Sequence, residues 1–141
     1  MEADELSIGA DLMSVRTACG FVRRRAGGAG LSDEGAAELE LAVDEICTNI
    51  VMHGYRGKEG TIDLLVDSGQ GAVKVTIVDR AVPFNPLRFT PPDTSVPLSE
   101  REIGRMGLLI ARKMVDDISY ERADGENRLT MMKIVKREQY V

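Results

Sequence analysis

Several common chemistries find little raw material in this chain. It holds one histidine and two cysteines, Cys19 and Cys47. Both cysteines sit in apolar helical patterns, which reads as small buried hydrophobes in a reducing cytosol rather than a disulfide. A catalytic thiol would want a histidine partner, and the one present, His53, is better used elsewhere. No run reaches the roughly 18 apolar residues of a membrane span. Residues 1–5 are acidic and lead into no long apolar stretch, so no secretion signal is expected. Positive charge is the scarcer sign, 18 Lys and Arg against 23 Asp and Glu. The resulting net charge of −5 argues against direct binding of a nucleic-acid backbone. Proline is missing from most of the chain: all five, Pro83, Pro86, Pro91, Pro92 and Pro97, fall within residues 80–104.

What is present suits one soluble, cytoplasmic domain spanning residues 1–141, with 43% hydrophobic and 29% charged residues and enough length for a proper core. The chain is organised around residues 44–54, inside its longest helical pattern. Residues four apart share a helix face. Glu45, Asn49 and His53 therefore form a polar stripe, and Ala36, Leu39, Val43, Ile46 and Ile50, with Cys47 beside them, form an apolar one. Asp11 is a plausible N-cap for an earlier helix through Leu12, Val15, Ala18, Cys19 and Val22, which ends in Arg23-Arg24-Arg25 and is broken by Gly27-Gly28-Ala29-Gly30. Ser32 is an N-cap for the central helix, which is expected to end near His53 with Gly54 as a left-handed stop.

Residues 6–8 suit a short edge strand. Residues 61–66 and 72–79 read as a hairpin around a turn at 67–71, with Val73, Val75 and Ile77 alternating against Lys74 and Thr76. The proline-bearing segment 80–104 reads as an irregular, lid-like loop. A helix over 106–115 and strands over 118–121 and 129–135, joined at Ala123-Asp124-Gly125, complete the chain. The pattern implies an α+β two-layer sandwich, with helices on one face of a mainly antiparallel sheet.

Three stretches carry residues suited to a magnesium nucleotide. Magnesium wants oxygen ligands and keeps several waters and phosphate oxygens, and a neutral Asn49 carbonyl joins that shell without repelling phosphate. Glu45, one turn earlier, is placed to act as a general base. Asp79, at a strand end, can accept a hydrogen bond from an exocyclic amine; if buried, it needs a ligand or water to satisfy it. The Gly104–Gly107 turn opens a helix, where backbone N–H groups favour anions, and Arg105 adds positive charge.

These stretches resemble a known family. Glu45-Ile46-Cys47-Thr48-Asn49-Ile50-Val51-Met52-His53-Gly54-Tyr55 is similar to the N box of the GHKL (Bergerat-fold) ATPases. Its Thr-Asn-x-x-x-His-Gly-Tyr ending is particular to the bacterial anti-sigma-factor serine kinases. Asp79-Arg80-Ala81-Val82-Pro83-Phe84-Asn85-Pro86 resembles their G1 box, and Gly104-Arg105-Met106-Gly107-Leu108 their G2 box. The resemblance implies an ATP- and Mg²⁺-dependent serine/threonine protein kinase. It would phosphorylate a STAS-fold anti-anti-sigma protein and sequester a sigma factor, as a homodimer without direct contact to nucleic acid or membrane. By position, Glu45 would be the catalytic base and Asn49 the Mg²⁺ ligand. His53 and Gly54 would line the nucleotide pocket. Asp79 would recognise adenine, with Ala81 and Phe84 in the same box. Gly104, Arg105, Met106, Gly107 and Leu108 would wrap the phosphates as part of the lid. The chain departs from the family pattern at Ala81 and Arg105, where glycine is usual, at Asn85 for aspartate, and at Asn127, where many relatives carry threonine near adenine. The alternative reading is a module of the same fold that sequesters a partner without phosphoryl transfer.

Overall fold

The side chains that begin each helix do so by satisfying its free N–H groups. In the computed structural model, which describes residues 2–83 and 105–135 (side chains for 4–83 and 109–135), Asp11 Oδ1 accepts the Ser14 N–H at 2.8 Å and opens α1, Leu12–Gly28. The helix runs through Gly27 and Gly28, so the break comes slightly later than expected, at Ala29 and Gly30 (φ 101°). Ser32 Oγ accepts the Gly35 N–H at 3.0 Å and opens α2, Asp33–Asn49.

The end of α2 corrects the sequence reading. The α-helix stops at Asn49 and continues as a π-helical turn, Ile50–Tyr55. Asn49 Nδ2 donates to the Glu45 carbonyl at 2.8 Å. That carbonyl is also the acceptor an α-helix offers to the Asn49 backbone N–H, and its two lone pairs can take both donors. A wider turn follows, and it moves His53 off the strict four-residue row. The left-handed stop is Arg56 (φ 55°), followed by Gly57 (φ 79°), not Gly54.

Five strands make one antiparallel sheet: β1, Glu2–Gly9; β2, Thr61–Gly69; β3, Ala72–Asp79; β4, Asp117–Ala123; and β5, Glu126–Ile134. Their order is β1-β2-β3-β5-β4, which leaves β1 at an edge as expected and sets β5 against β3. The β2–β3 turn is only Gln70-Gly71, because Asp67, Ser68 and Gly69 pair with Lys74, Val73 and Ala72. Gln70 and Gly71 both take positive φ, as do Asp124 and Gly125 between β4 and β5, the geometry that two-residue hairpin loops require.

Alternation buries one sheet face. Ile62, Leu64 and Val66 of β2, Val73, Val75 and Ile77 of β3, and Leu129 and Met131 of β5 meet Val15, Ala18 and Val22 of α1 and Leu39, Val43, Ile46 and Cys47 of α2. Ala111 of the third helix, α3 (Arg105–Met114), joins them. Each large side chain so buried is worth about 1.5–3 kcal/mol. This is the expected α+β two-layer sandwich. Phe84, Asn85, Gly104 and the loop expected between them lie outside the described residues.

Candidate active site

Three element ends carry the candidate site residues. The first is the Asn49 end of α2 with its π-helical turn. Asn49 is buried and Glu45 and His53 are half-buried. The bond from Asn49 Nδ2 to the Glu45 carbonyl commits the donor end of the carboxamide to the helix. The oxygen is the end with the chemistry of a magnesium ligand.

The second end is that of β3. Asp79 is only 4% exposed. Its Oδ1 accepts the Ala81 N–H at 2.9 Å and Asn127 Nδ2 at 2.9 Å. Two protein N–H groups, one just past the end of β3 and one on β5, thus satisfy Oδ1, so the expected need for a ligand or water is corrected for that oxygen alone. The segment after Asp79 is pinned as well. Arg122 Nη1 donates to the Ala81 carbonyl at 2.8 Å, and Asn127 Nδ2 to the Val82 carbonyl at 3.0 Å.

The first two ends touch through Gly54. A Cβ built on Gly54 would lie 3.1 Å from the Ala81 Cβ, closer than methyl groups pack. Gly54 is thus small because Ala81 fills the space opposite, not because it stops a helix. Ala81 is itself buried and does not take positive φ, so its methyl group brings no backbone strain. Gly54→Ala should cost about 1–2 kcal/mol of stability, and Ala81→Gly in the same chain should recover most of it. Chemical denaturation of the two single variants and the double variant measures this; strict additivity would refute the contact.

The third end is the N-terminus of α3, which packs on α2. Lys133 Nζ donates to the Met114 carbonyl at 2.6 Å and lies 3.6 Å from Glu38. The end of α3 is thus beside the early turns of α2, so the helices run antiparallel. Arg105, Met106, Gly107 and Leu108 form the first turn of α3. Helix N-termini favour anions.

Tyr55 ties these parts together. Its hydroxyl donates to the Thr61 carbonyl at 2.7 Å and accepts the Arg80 N–H at 2.8 Å, linking the π-helical turn to the start of β2 and the end of β3. The sequence marks Tyr55 only as the end of the N box and Asn127 only as a departure, and it gives Tyr120 and Arg122 no role in the site. A signal existed for Asn127: it is polar in a strand whose alternate positions, Leu129 and Met131, are buried. Tyr120 and Arg122 then follow, because they pair with Leu129 and Asn127 and so share that face.

The two cysteines take no part. Burial, then Asp44 and Glu40, push the Cys19 thiol up to about 12. Burial, then Cys19, Asp44 and Asp79, push the Cys47 thiol higher still. Both are neutral, buried hydrophobes at physiological pH. Among the described residues no group of three or more His, Cys, Asp or Glu side chains could hold a metal. A single protein oxygen from Asn49 fits magnesium, which is commonly held by few protein groups plus phosphates. No helix among the described residues is long and apolar enough to cross a membrane.

Residues 8–133 match the histidine kinase-like ATPase domain family, and the chain belongs to it. Among curated relatives it is similar to the serine-protein kinase RsbW of Bacillus cereus strain AH820, 30% identical over 114 residues, covering 78% of this chain and 71% of that one. The serine-protein kinase RsbW of Bacillus mycoides is 27% identical over the same coverage. A solved structure of RsbU and RsbW domains from Mycobacterium tuberculosis shares the fold, with a TM-score of 0.67 and 19% identity. That match covers 95% of this chain and spans 32% of the longer one.

Proposed function

We propose that this protein is an ATP-dependent serine/threonine protein kinase acting as an anti-sigma factor. Its substrate is a hydroxyl on a STAS-fold anti-anti-sigma protein, and it sequesters a sigma factor. It works in the cytoplasm as a homodimer. The observation that carries the reading is the contact between the turn that follows Asn49 and the end of β3, where Gly54 faces Ala81 and Asp79 accepts the Ala81 N–H. The family and the RsbW relatives support it.

In this reading Asp79 accepts a hydrogen bond from the adenine amino group. His53, Gly54 and Ala81 border the base, and Phe84 is assigned to it through its place in the same motif as Asp79. The Asn49 carbonyl holds Mg²⁺, which when bound neutralises phosphate charge during transfer. Glu45 takes the proton from the incoming hydroxyl. Gly104, Arg105, Met106, Gly107 and Leu108 approach the phosphates through backbone N–H groups. Ala81 takes no positive φ, so the methyl group that stands in place of the usual glycine brings no backbone strain against this reading.

ATP with Mg²⁺ should raise the melting temperature, since a ligand present at about 100 times its Kd stabilises by roughly 2.7 kcal/mol. No shift at millimolar ATP would remove the nucleotide reading. Labelled ATP mixed with a candidate STAS protein, followed by phosphosite mapping, tests the transfer directly. Absence of label from every STAS partner that the protein binds would sink the kinase assignment.

A further inference from the structure

We propose that Lys133 is a positioning residue for the nucleotide phosphates, acting from the far end of the helix that meets them. The proposal rests on the nucleotide reading above, in which the first turn of α3 approaches the phosphates. Lys133 continues the core-facing row of β5, in alternation with the buried Leu129 and Met131. Its side chain is only 12% exposed. A charge so far out of water is costly unless it is paired.

Its partners belong to two helices. Nζ donates to the Met114 carbonyl at 2.6 Å and lies 3.6 Å from the Glu38 carboxylate of α2. Met114 is the last residue of α3. Carbonyls in a last turn lack intrahelical donors, and the helix dipole is negative there, so an ammonium group suits the place. One cation thus fastens the end of α3 to both α2 and β5. The next residues reinforce the joint: the Asp116 N–H donates to the Met132 carbonyl at 2.9 Å, and Asp116 Oδ2 accepts the Ile134 N–H at 2.7 Å. Among residues 109–114, by contrast, the one hydrogen bond to another element is that of Met114. The direction of α3 is therefore set at its last turn. Ten helical residues span about 15 Å, so a tilt of about 4° at this joint moves the first turn by about 1 Å. A displacement of that size is enough to spoil contacts that depend on aligned N–H groups.

The test separates phosphate from base. Affinities for ATP with Mg²⁺ and for adenosine are read from ligand-dependent melting shifts in the wild type, Lys133→Met and Lys133→Arg. Methionine keeps the long apolar stem and drops the donor, whereas arginine keeps a charged donor. Lys133→Met should weaken ATP by about tenfold or more, while adenosine, which has no phosphate, changes by less than about twofold. Lys133→Arg should stay within about threefold of the wild type for ATP. Val66→Ala, a core truncation on β2, lowers stability without touching the joint and should keep wild-type affinities. A folded Lys133→Met variant with wild-type ATP affinity would overturn the proposal. Equal losses for ATP and adenosine would do the same, as would an ATP loss in Val66→Ala as large as that in Lys133→Met. If adenosine gives no shift in the wild type, the comparison with Val66→Ala decides. If Lys133→Met does not fold, Glu38→Gln, which removes the carboxylate partner, replaces it, and unchanged ATP affinity there overturns the proposal. These outcomes leave the nucleotide reading standing. A wild type that binds no ATP sinks that reading and this proposal with it.

Discussion

Glu45→Ala should abolish phosphoryl transfer to a STAS partner while leaving ATP binding nearly unchanged. Glu45 is half-buried on α2, one turn before Asn49. Among the described residues its carboxylate makes no hydrogen bond or ion pair; only its backbone carbonyl is engaged, by Asn49. Alanine is the best helix former, so the truncation removes a functional group without costing the helix. General-base catalysis contributes about 10²–10⁴ in rate, and a loss of that size is expected in initial rates of labelled transfer. Glu45→Gln should lose as much, since it keeps the shape and discards the base. Nucleotide-dependent melting shifts should stay close to wild type in both variants. Transfer at wild-type rate in either variant would dismiss Glu45 as the base.

Gly60→Ala carries the largest expected cost in stability. A Cβ there would lie 2.3–2.6 Å from three atoms of the Tyr55 ring. The ring cannot withdraw cheaply, because its hydroxyl is fixed at both Thr61 and Arg80. Overpacking of this kind costs about 1–3 kcal/mol or more, and each kcal/mol lowers the melting temperature of a domain this size by roughly 3–6 °C. The damage should reach the site, because Tyr55 joins the π-helical turn to the end of β3, which carries Asp79. Nucleotide affinity should therefore fall along with stability. In a Tyr55→Ala background the same substitution should be nearly silent, since the clashing ring is gone. Additive costs in the double variant would show that the contact is not the cause.

Much of the architecture is written in local signals. Asp11 and Ser32 cap helices because their side chains reach N–H groups three residues on. The alternation of Val73, Val75 and Ile77 sets the face of β3 before any partner strand is known. Gly71 and Gly125 mark two-residue turns, although the first strand pair runs closer to its turn than composition alone suggests. The N-box residues were legible for the same reason, as positions on one helix in a recognisable order.

Tertiary structure decided what lies far apart along the chain. The π-helical turn at Ile50–Tyr55 follows an unbroken α-helix, and hydrophobic periodicity does not register the change of winding. Gly54 carries a glycine signal that reads as a stop, and only the Ala81 methyl group opposite reveals its real constraint. Asp79 and Asn127 are 48 positions apart, and their bond exists because β5 inserts between β3 and β4. Side-chain periods and caps are properties of a few neighbouring residues, so they survive in a one-dimensional string. Strand order and the partner of a buried carboxylate depend on which distant segments pair, and that is settled only when the whole core closes.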